Sequence, residues 1–250
     1  MLVNGHELNF IQNGPENGPN ILLLHHGLGS IKAWRRQIPV LAEAGFRVTA
    51  YDRWGYGGSD GRTALDLPTF TTDIDDLHSL LQQLGITTAS LVGHSDGGTI
   101  ALYFSAQFPR QVTSLVTVAA HIYIELEMET GCLDIKNTYQ ADERFRRSLF
   151  DAHGDKYESV FHNWYEGWYR QDFIGWDMRQ VLGRINCPSL IVQGEDDEYA
   201  THRHVKDIAG AIPGAEAWII PGAGHMLPLE NAELFNAGIL RFLEKQTVSL

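Results

Sequence analysis

The chain has 250 residues, 44% of them hydrophobic, and its 31 acidic against 19 basic side chains give a net charge of −12. That length fits one large domain with room for an insertion, and the apolar fraction supports a substantial core, which excludes an intrinsically disordered chain. With no basic stripe to neutralise phosphates, nucleic acid is excluded as a partner, and the acidic balance also disfavours anionic membrane surfaces. Cys132 and Cys187 are too few for a disulfide framework and read as free thiols of a reducing compartment. The opening Met-Leu-Val-Asn-Gly-His-Glu lacks a basic stretch followed by an apolar one, and no apolar run approaches the ~20 residues of a membrane span, so a cytoplasmic location is expected.

The first predicted strand runs from Leu8 to Ile11, before a turn-rich stretch from Asn13 to Pro19. Ile21 to Leu24 is continuously apolar, as a central parallel strand buried on both faces must be, and it ends in His25-His26-Gly27-Leu28-Gly29. A helix from about Trp34 to Ala44 should stop at Gly45, well suited to a C-cap. Phe46 to Tyr51 is the next strand and leads into Asp52-Arg53-Trp54-Gly55-Tyr56-Gly57-Gly58-Ser59, whose glycines read as a structural turn rather than a nucleotide-binding loop. Between Phe70 and Leu84, apolar residues recur at helical spacing; Asp73, Asp75 and Asp76 near its start read as a solvated, dipole-complementing face rather than a metal site.

Ala89 to Val92 reads as a buried strand and Thr99 to Leu102 opens a helix, with Gly93-His94-Ser95-Asp96-Gly97 between them. Gly-x-Ser-x-Gly is the signature of a nucleophile elbow, a strand-to-helix turn so tight that the flanking positions tolerate no bulky side chain. Strain in that turn holds the serine hydroxyl out at the strand's end, and the following helix aims its positive end at the same place. Further strands are expected at Ser114 to Ala119, Ser189 to Gln193 and Ala217 to Ile220, and helices at His202 to Ala211 and Asn231 to Leu243. Strand and helix alternate throughout, except between about Ile122 and Gly183, where aromatic-rich helical patterns stand alone.

A serine hydroxyl needs a base beside it and a group to orient that base. Gly194-Glu195-Asp196-Asp197-Glu198 follows one late strand, and Pro221-Gly222-Ala223-Gly224-His225 follows the next, so acids and a histidine are delivered to the carboxyl edge of the sheet. The chain order is serine, acid, histidine. Adjacent His25 and His26 point opposite ways on an extended segment and do not make a metal site; His202 and His204 read as a solvated helix start.

In these motifs the sequence resembles the α/β-hydrolase superfamily over essentially its whole length: His26-Gly27-x-Gly29, Asp52-x-x-Gly55-x-Gly57-x-Ser59, the elbow, and Gly194-x-x-Asp197 with Gly224-His225. The resemblance implies a doubly wound, mostly parallel α/β sheet with a helical cap inserted after the sixth strand, residues 1–121 and 185–250 forming the core and 122–184 the cap. It implies Ser95 as nucleophile, His225 as general base and then acid, and Asp197 as the orienting carboxylate, with Asp196 the alternative. The backbone amides of Leu28 and Asp96 would form the oxyanion hole, and His26 would be structural in the oxyanion loop. Neither cofactor nor metal is implied, the partner is a small-molecule substrate, and no motif specifies an oligomeric state.

Phe161, Trp164, Tyr165, Trp168 and Tyr169 form a helical stripe that either packs the cap or roofs an apolar pocket, with Trp164 and Trp168 as pocket candidates; Trp34 is pocket wall or core. An acid follows the nucleophile, so the Asp96 carboxylate is expected to turn away and pair with Arg53 or His25. A serine rather than an aspartate nucleophile sets the chain apart from dehalogenase- and epoxide-hydrolase-like relatives, and the proline iminopeptidase elbow is absent. The expected activity is hydrolysis of small carboxylic esters through an acyl-enzyme. A C–C bond hydrolase of ring-cleavage diketones or a lactonase would use the same triad; a cofactor-free perhydrolase and a non-catalytic ligand-binding member of the fold are the remaining alternatives.

Overall fold

The apolar runs become strands in the order the sequence places them. The computed structural model describes residues 1–169 and 175–247. Seven strands form the main sheet: β3 (Phe10–Asn13), β4 (Asn20–Leu24), β5 (Arg47–Tyr51), β6 (Ala89–His94), β7 (Val112–Val118), β8 (Ser189–Gly194) and β9 (Glu216–Ile220), in the spatial order β3-β5-β4-β6-β7-β8-β9. Only β3 runs antiparallel to its neighbour. Ahead of it, β1 (Leu2–Val3) and β2 (His6–Glu7) pair as a separate hairpin, which the sequence pattern does not announce. The insertion therefore follows the seventh strand of the chain, the fifth of the main sheet, and not the sixth.

Alternation of side chains along each strand divides the core in two. Ile21 and Leu23 of β4 share one buried cluster with Leu41 of α1 (Ile38–Glu43) and with Phe235, Ile239 and Phe242 of α10 (Ala232–Thr247). Leu22 and Leu24 belong to the other, with Leu77, Leu80 and Leu81 of α2 (Thr71–Gln83) and Phe104 of α3 (Asp96–Gln107). Each of these side chains is worth roughly 1.5–3 kcal/mol on full burial, and the strand must be apolar on both faces to collect it. The helix expected from Trp34 to Ala44 is broken: Ile31–Trp34 is a 3-10 turn and α1 starts only at Ile38. Pro39 lacks an amide donor and is tolerated only in a helix's first turn, so it forces the new start.

Two readings of polar residues are corrected. Asp73 and Asp76 are buried, not solvated; only Asp75 faces out. α2 packs against the loop after β5 and the N-terminal hairpin, which bring Arg53 and Arg62 to Asp73 and His6 and Asn4 to Asp76. His204, on α8 (Arg203–Ala211), is likewise fully buried, its Nδ1 accepting from the Ile122 amide at 3.2 Å and its Nε2 lying 3.2 Å from a Glu125 carboxylate oxygen.

Between β7 and β8 the chain leaves the sheet through α4 (Leu126–Ala141), α5 (Glu143–His153) and α6 (Tyr157–Trp168), which pack on one another. A bridge between Tyr123 and Asp177 and a hydrogen bond from Met178 N to Ile122 O (2.8 Å) pinch the base of the insertion. Beyond it, α7 (Arg179–Leu182) lies against α3 and α8. Both cysteines are free and buried. Among the described residues no helix is long and apolar enough to cross a membrane.

Candidate active site

Ser95 follows directly on β6, with φ 54° and ψ −119°, a conformation that costs a non-glycine residue of order 1–3 kcal/mol. The surroundings leave it no alternative. A Cβ on Gly93 would lie 2.2 Å from the carbonyl oxygen of Gly97, and one on Gly97 would lie 2.2 Å from the carbonyl oxygen of Leu24. Both obstacles are backbone atoms that cannot swing aside. Gly97→Ala is accordingly expected to destabilise the protein by roughly 1–3 kcal/mol or more. In thermal unfolding that is a fall of several degrees at this chain length, about 2–4 °C per kcal/mol. An unchanged melting temperature would mean the turn has slack that the geometry denies.

The candidate acid and base arrive from the ends of the last two strands, β8 and β9. His225 lies in the loop after β9, and its Nδ1 stands 3.0 and 3.1 Å from the two carboxylate oxygens of Asp197 in the loop after β8. Asp197 is the acid that meets the imidazole, while Asp196 is exposed. Because a carboxylate only accepts, Nδ1 carries the proton and Nε2 keeps the lone pair that a general base needs. Two further contacts that the motifs do not announce fix the backbone of His225. The Glu198 carboxylate accepts from its amide at 3.0 Å, and His94, the variable residue of the elbow, bonds its carbonyl at 2.9 Å.

The electrostatics suit that division of labour. Burial alone would lower the His225 pKa, but the Asp197 charge and hydrogen bond, with help from Glu198 and Asp96, raise it above the ordinary histidine value. Burial alone would raise Asp197, but the His225 charge and hydrogen bond and the Tyr199 amide hold it below the usual carboxylate range. Burial, followed by the neighbouring His94 and His225, keeps His26 well below the histidine range, and burial with Arg53 does the same to His25. Those two rings are neutral at physiological pH.

The loop after β4, the candidate oxyanion loop, lies beside the elbow. The Leu28 amide makes one long contact, 3.4 Å from His26 Nδ1, weak enough to be exchanged for a substrate oxygen. His25 is fixed away from it, Nδ1 bonded to the His26 carbonyl at 2.8 Å and Nε2 accepting from the Arg53 amide at 3.1 Å. The Asp96 carboxylate turns into the protein, where Arg53 Nη2 reaches Oδ2 at 3.4 Å; His25 is not its partner. Arg53 is 1% exposed, bridges on to Asp73 at 3.3 Å and lies over the Tyr56 ring at 4.4 Å. Burial is the largest influence on Asp96 and raises its pKa despite Arg53.

Ser95, Asp96, Leu28 and His225 all line one cavity of about 620 Å³, roofed by Met128, Phe145 and Leu149 from the insertion. Trp164 and Trp168 line it as well, while Phe161 and Tyr165 of the same stripe are packed away in the core. Trp34 does not line it. It is 1% exposed in the core on the α1 and α10 side of the sheet, its ring edge-on to His94 at 6.5 Å. The 3-10 turn that replaces the start of the expected helix carries it inward. The glycine-rich loop after β5 is a structural turn: the Asp52 carboxylate accepts from the amides of Ile31 and Gly58. Among the described residues no group of three or more histidine, cysteine, aspartate or glutamate side chains is arranged to hold a metal ion.

Comparison with known proteins identifies the family and the fold. The sequence model of a family described as alpha/beta hydrolase fold matches residues 19–157 and 155–232. The chain is 32% identical to the human serine hydrolase BPHL, over 97% of this chain and 84% of that protein. It is 27% identical to the bifunctional esterase/perhydrolase DCH of Acinetobacter calcoaceticus, covering 92% and 93% of the two chains. Among solved structures, the enol-lactonase from Burkholderia xenovorans LB400 superposes with a TM-score of 0.78 at 22% identity, over 98% of this chain and 99% of that one.

Proposed function

The chain belongs to the alpha/beta hydrolase fold family and is a hydrolase of that fold, and from its site we propose that it cleaves small carboxylic esters through an acyl-enzyme on Ser95. The observation that carries this reading is the pairing of His225 Nδ1 with both oxygens of Asp197, in an imidazole that lines the same apolar cavity as the strained Ser95. In the first step His225 Nε2 takes the Ser95 proton as Oγ bonds to the ester carbonyl carbon. The negative charge passes to the former carbonyl oxygen, where the Leu28 and Asp96 amides stabilise it. Collapse expels the alcohol, which leaves with the proton from His225. Water then repeats the sequence on the acyl-enzyme, releasing the acid and restoring the serine.

The reading extends to the cytoplasmic setting and the cap role of residues 122–184. Apolar walls of Leu28, Met128, Leu149 and Leu229 favour a hydrocarbon acyl or alcohol group over a charged one. A panel of p-nitrophenyl esters of graded chain length, with a lactone and a vinylogous ring-cleavage diketone alongside, tests it. Saturable turnover of short to medium esters is expected. Cleavage of the diketone or lactone alone replaces the ester reading with one of those, and inertness toward every member of the panel points to a ligand-binding protein.

A further inference from the structure

Both residues whose amides are assigned to the oxyanion hole are held by the insertion, Leu28 through its carbonyl and Asp96 through its carboxylate. His153 is the last residue of α5 and is 3% exposed. Its Nδ1 accepts a hydrogen bond from the Gly57 amide at 3.0 Å, which places the ring proton on Nε2, 3.1 Å from the Leu28 carbonyl oxygen. Both ring nitrogens are thereby committed, so His153 has no lone pair to offer a substrate. On the other side of the peptide that carries the Leu28 amide, Trp164 lies against Gly27: a Cβ there would stand 2.0 Å from its Nε1. The second amide belongs to Asp96, and α6 reaches that residue too, Trp168 Nε1 donating to Asp96 Oδ1 at 3.1 Å. Trp164 and Trp168 are one helical turn apart, so a single face of α6 touches both walls of the hole.

We propose that His153 is a positioning residue of the oxyanion hole, holding the Leu28 amide in register with Ser95 from the inserted helices, and that Trp168 does the same for the Asp96 amide. The proposal rests on the serine-hydrolase reading above. A donor held by a cap does not reorganise when charge develops, and such pre-set donors carry much of the stabilisation of a tetrahedral intermediate. A cap that supplied only pocket walls would act on substrate affinity instead.

The test uses the full chain with His153→Phe, His153→Gln and Trp168→Phe. The readouts are kcat and KM on a p-nitrophenyl ester, and the rate at which an alkyl p-nitrophenyl phosphonate modifies Ser95. In that modification Oγ bonds to phosphorus, p-nitrophenolate leaves, the proton passes to His225, and the charged phosphoryl oxygen occupies the same hole. His153→Phe and Trp168→Phe are each expected to slow turnover and phosphonylation together by roughly 10- to 100-fold, with KM within about threefold. His153→Gln, which can donate to the Leu28 carbonyl and accept from Gly57, should recover most of the loss. Phenylalanine variants that phosphonylate at the wild-type rate, that change KM alone, or a glutamine variant no better than His153→Phe would overturn the proposal. If His153→Phe does not fold, as read by circular dichroism, His153→Asn, whose shorter amide cannot span both the Gly57 amide and the Leu28 carbonyl, takes its place on the same criteria. A wild-type chain that the phosphonate leaves unmodified rejects the serine-hydrolase reading itself, and this inference with it.

Discussion

Ser95→Ala is expected to lower kcat by roughly 10⁴- to 10⁶-fold while leaving KM within a few-fold. The asymmetry follows from where the hydroxyl sits. It forms a bond only once the reaction is under way, so its loss removes transition-state stabilisation and little ground-state binding. The cavity walls, the Leu28 and Asp96 amides and the His225–Asp197 pair survive the change, because Oγ has no structural bond to lose: the Ser95 amide, not its side chain, ties the elbow to the Val118 carbonyl at 2.8 Å. The variant should therefore melt within a degree or two of the wild type, or slightly higher. Wild-type enzyme quenched during turnover of a slow ester should gain the mass of one acyl group on the peptide containing Ser95, and the variant should gain none. Retention of activity within tenfold, or an acyl group on another residue, would move the nucleophile elsewhere.

How much of this site is legible in the sequence depends on whether the deciding contact is local. The elbow is legible because Gly93, Ser95 and Gly97 form one five-residue signature; the clash at Gly93 is with Gly97 itself, whereas the clash at Gly97 is with the Leu24 carbonyl of β4, a distant reason that the local signature records. The acid and histidine are legible because each follows an apolar run by a short turn, and strands of a parallel sheet deliver their carboxyl ends to one edge. Spacing leaves Asp196 and Asp197 both open on residue chemistry; the choice needs the path of the loop, which turns Asp197 inward and Asp196 to solvent.

Side chains whose partners are distant in sequence are not legible. Asp73 and His204 each sit near the start of an amphipathic helix, where acids and polar residues usually face water; Arg53 and Arg62 reach Asp73, and the Ile122 amide reaches His204, from segments distant in sequence. His153 carries no motif at all; its partners Gly57 and Leu28 lie 96 and 125 residues away. Trp34 is open between pocket wall and core on the sequence, and the 3-10 turn ahead of the proline-started α1 decides it by carrying the ring into the core.

Asp197→Asn is expected to lower kcat by about 10⁴-fold, and its pH profile should move in a direction that no structural defect would produce. Both carboxylate oxygens face His225 Nδ1. An amide presenting its NH₂ there would donate to Nδ1 and drive the ring proton to Nε2, taking away the lone pair that accepts the Ser95 proton. The wild-type profile of kcat/KM should have an acidic limb above pH 6.5, because the Asp197 charge and bond outweigh the burial that would otherwise lower His225. The competent form is the neutral imidazole, so activity is lost as pH falls through that raised value. Without the Asp197 carboxylate, burial is opposed only by the lesser influence of Glu198 and Asp96, and the limb should shift to lower pH even as the plateau collapses. Asp196→Asn serves as the comparison, since its side chain is exposed and makes no contact with the imidazole; rate and limb should both stay near wild type. A variant at 197 whose plateau falls but whose limb stays in place would separate the orienting role of the carboxylate from its electrostatic one. A loss at 196 as large as that at 197 would return the acid to the other residue.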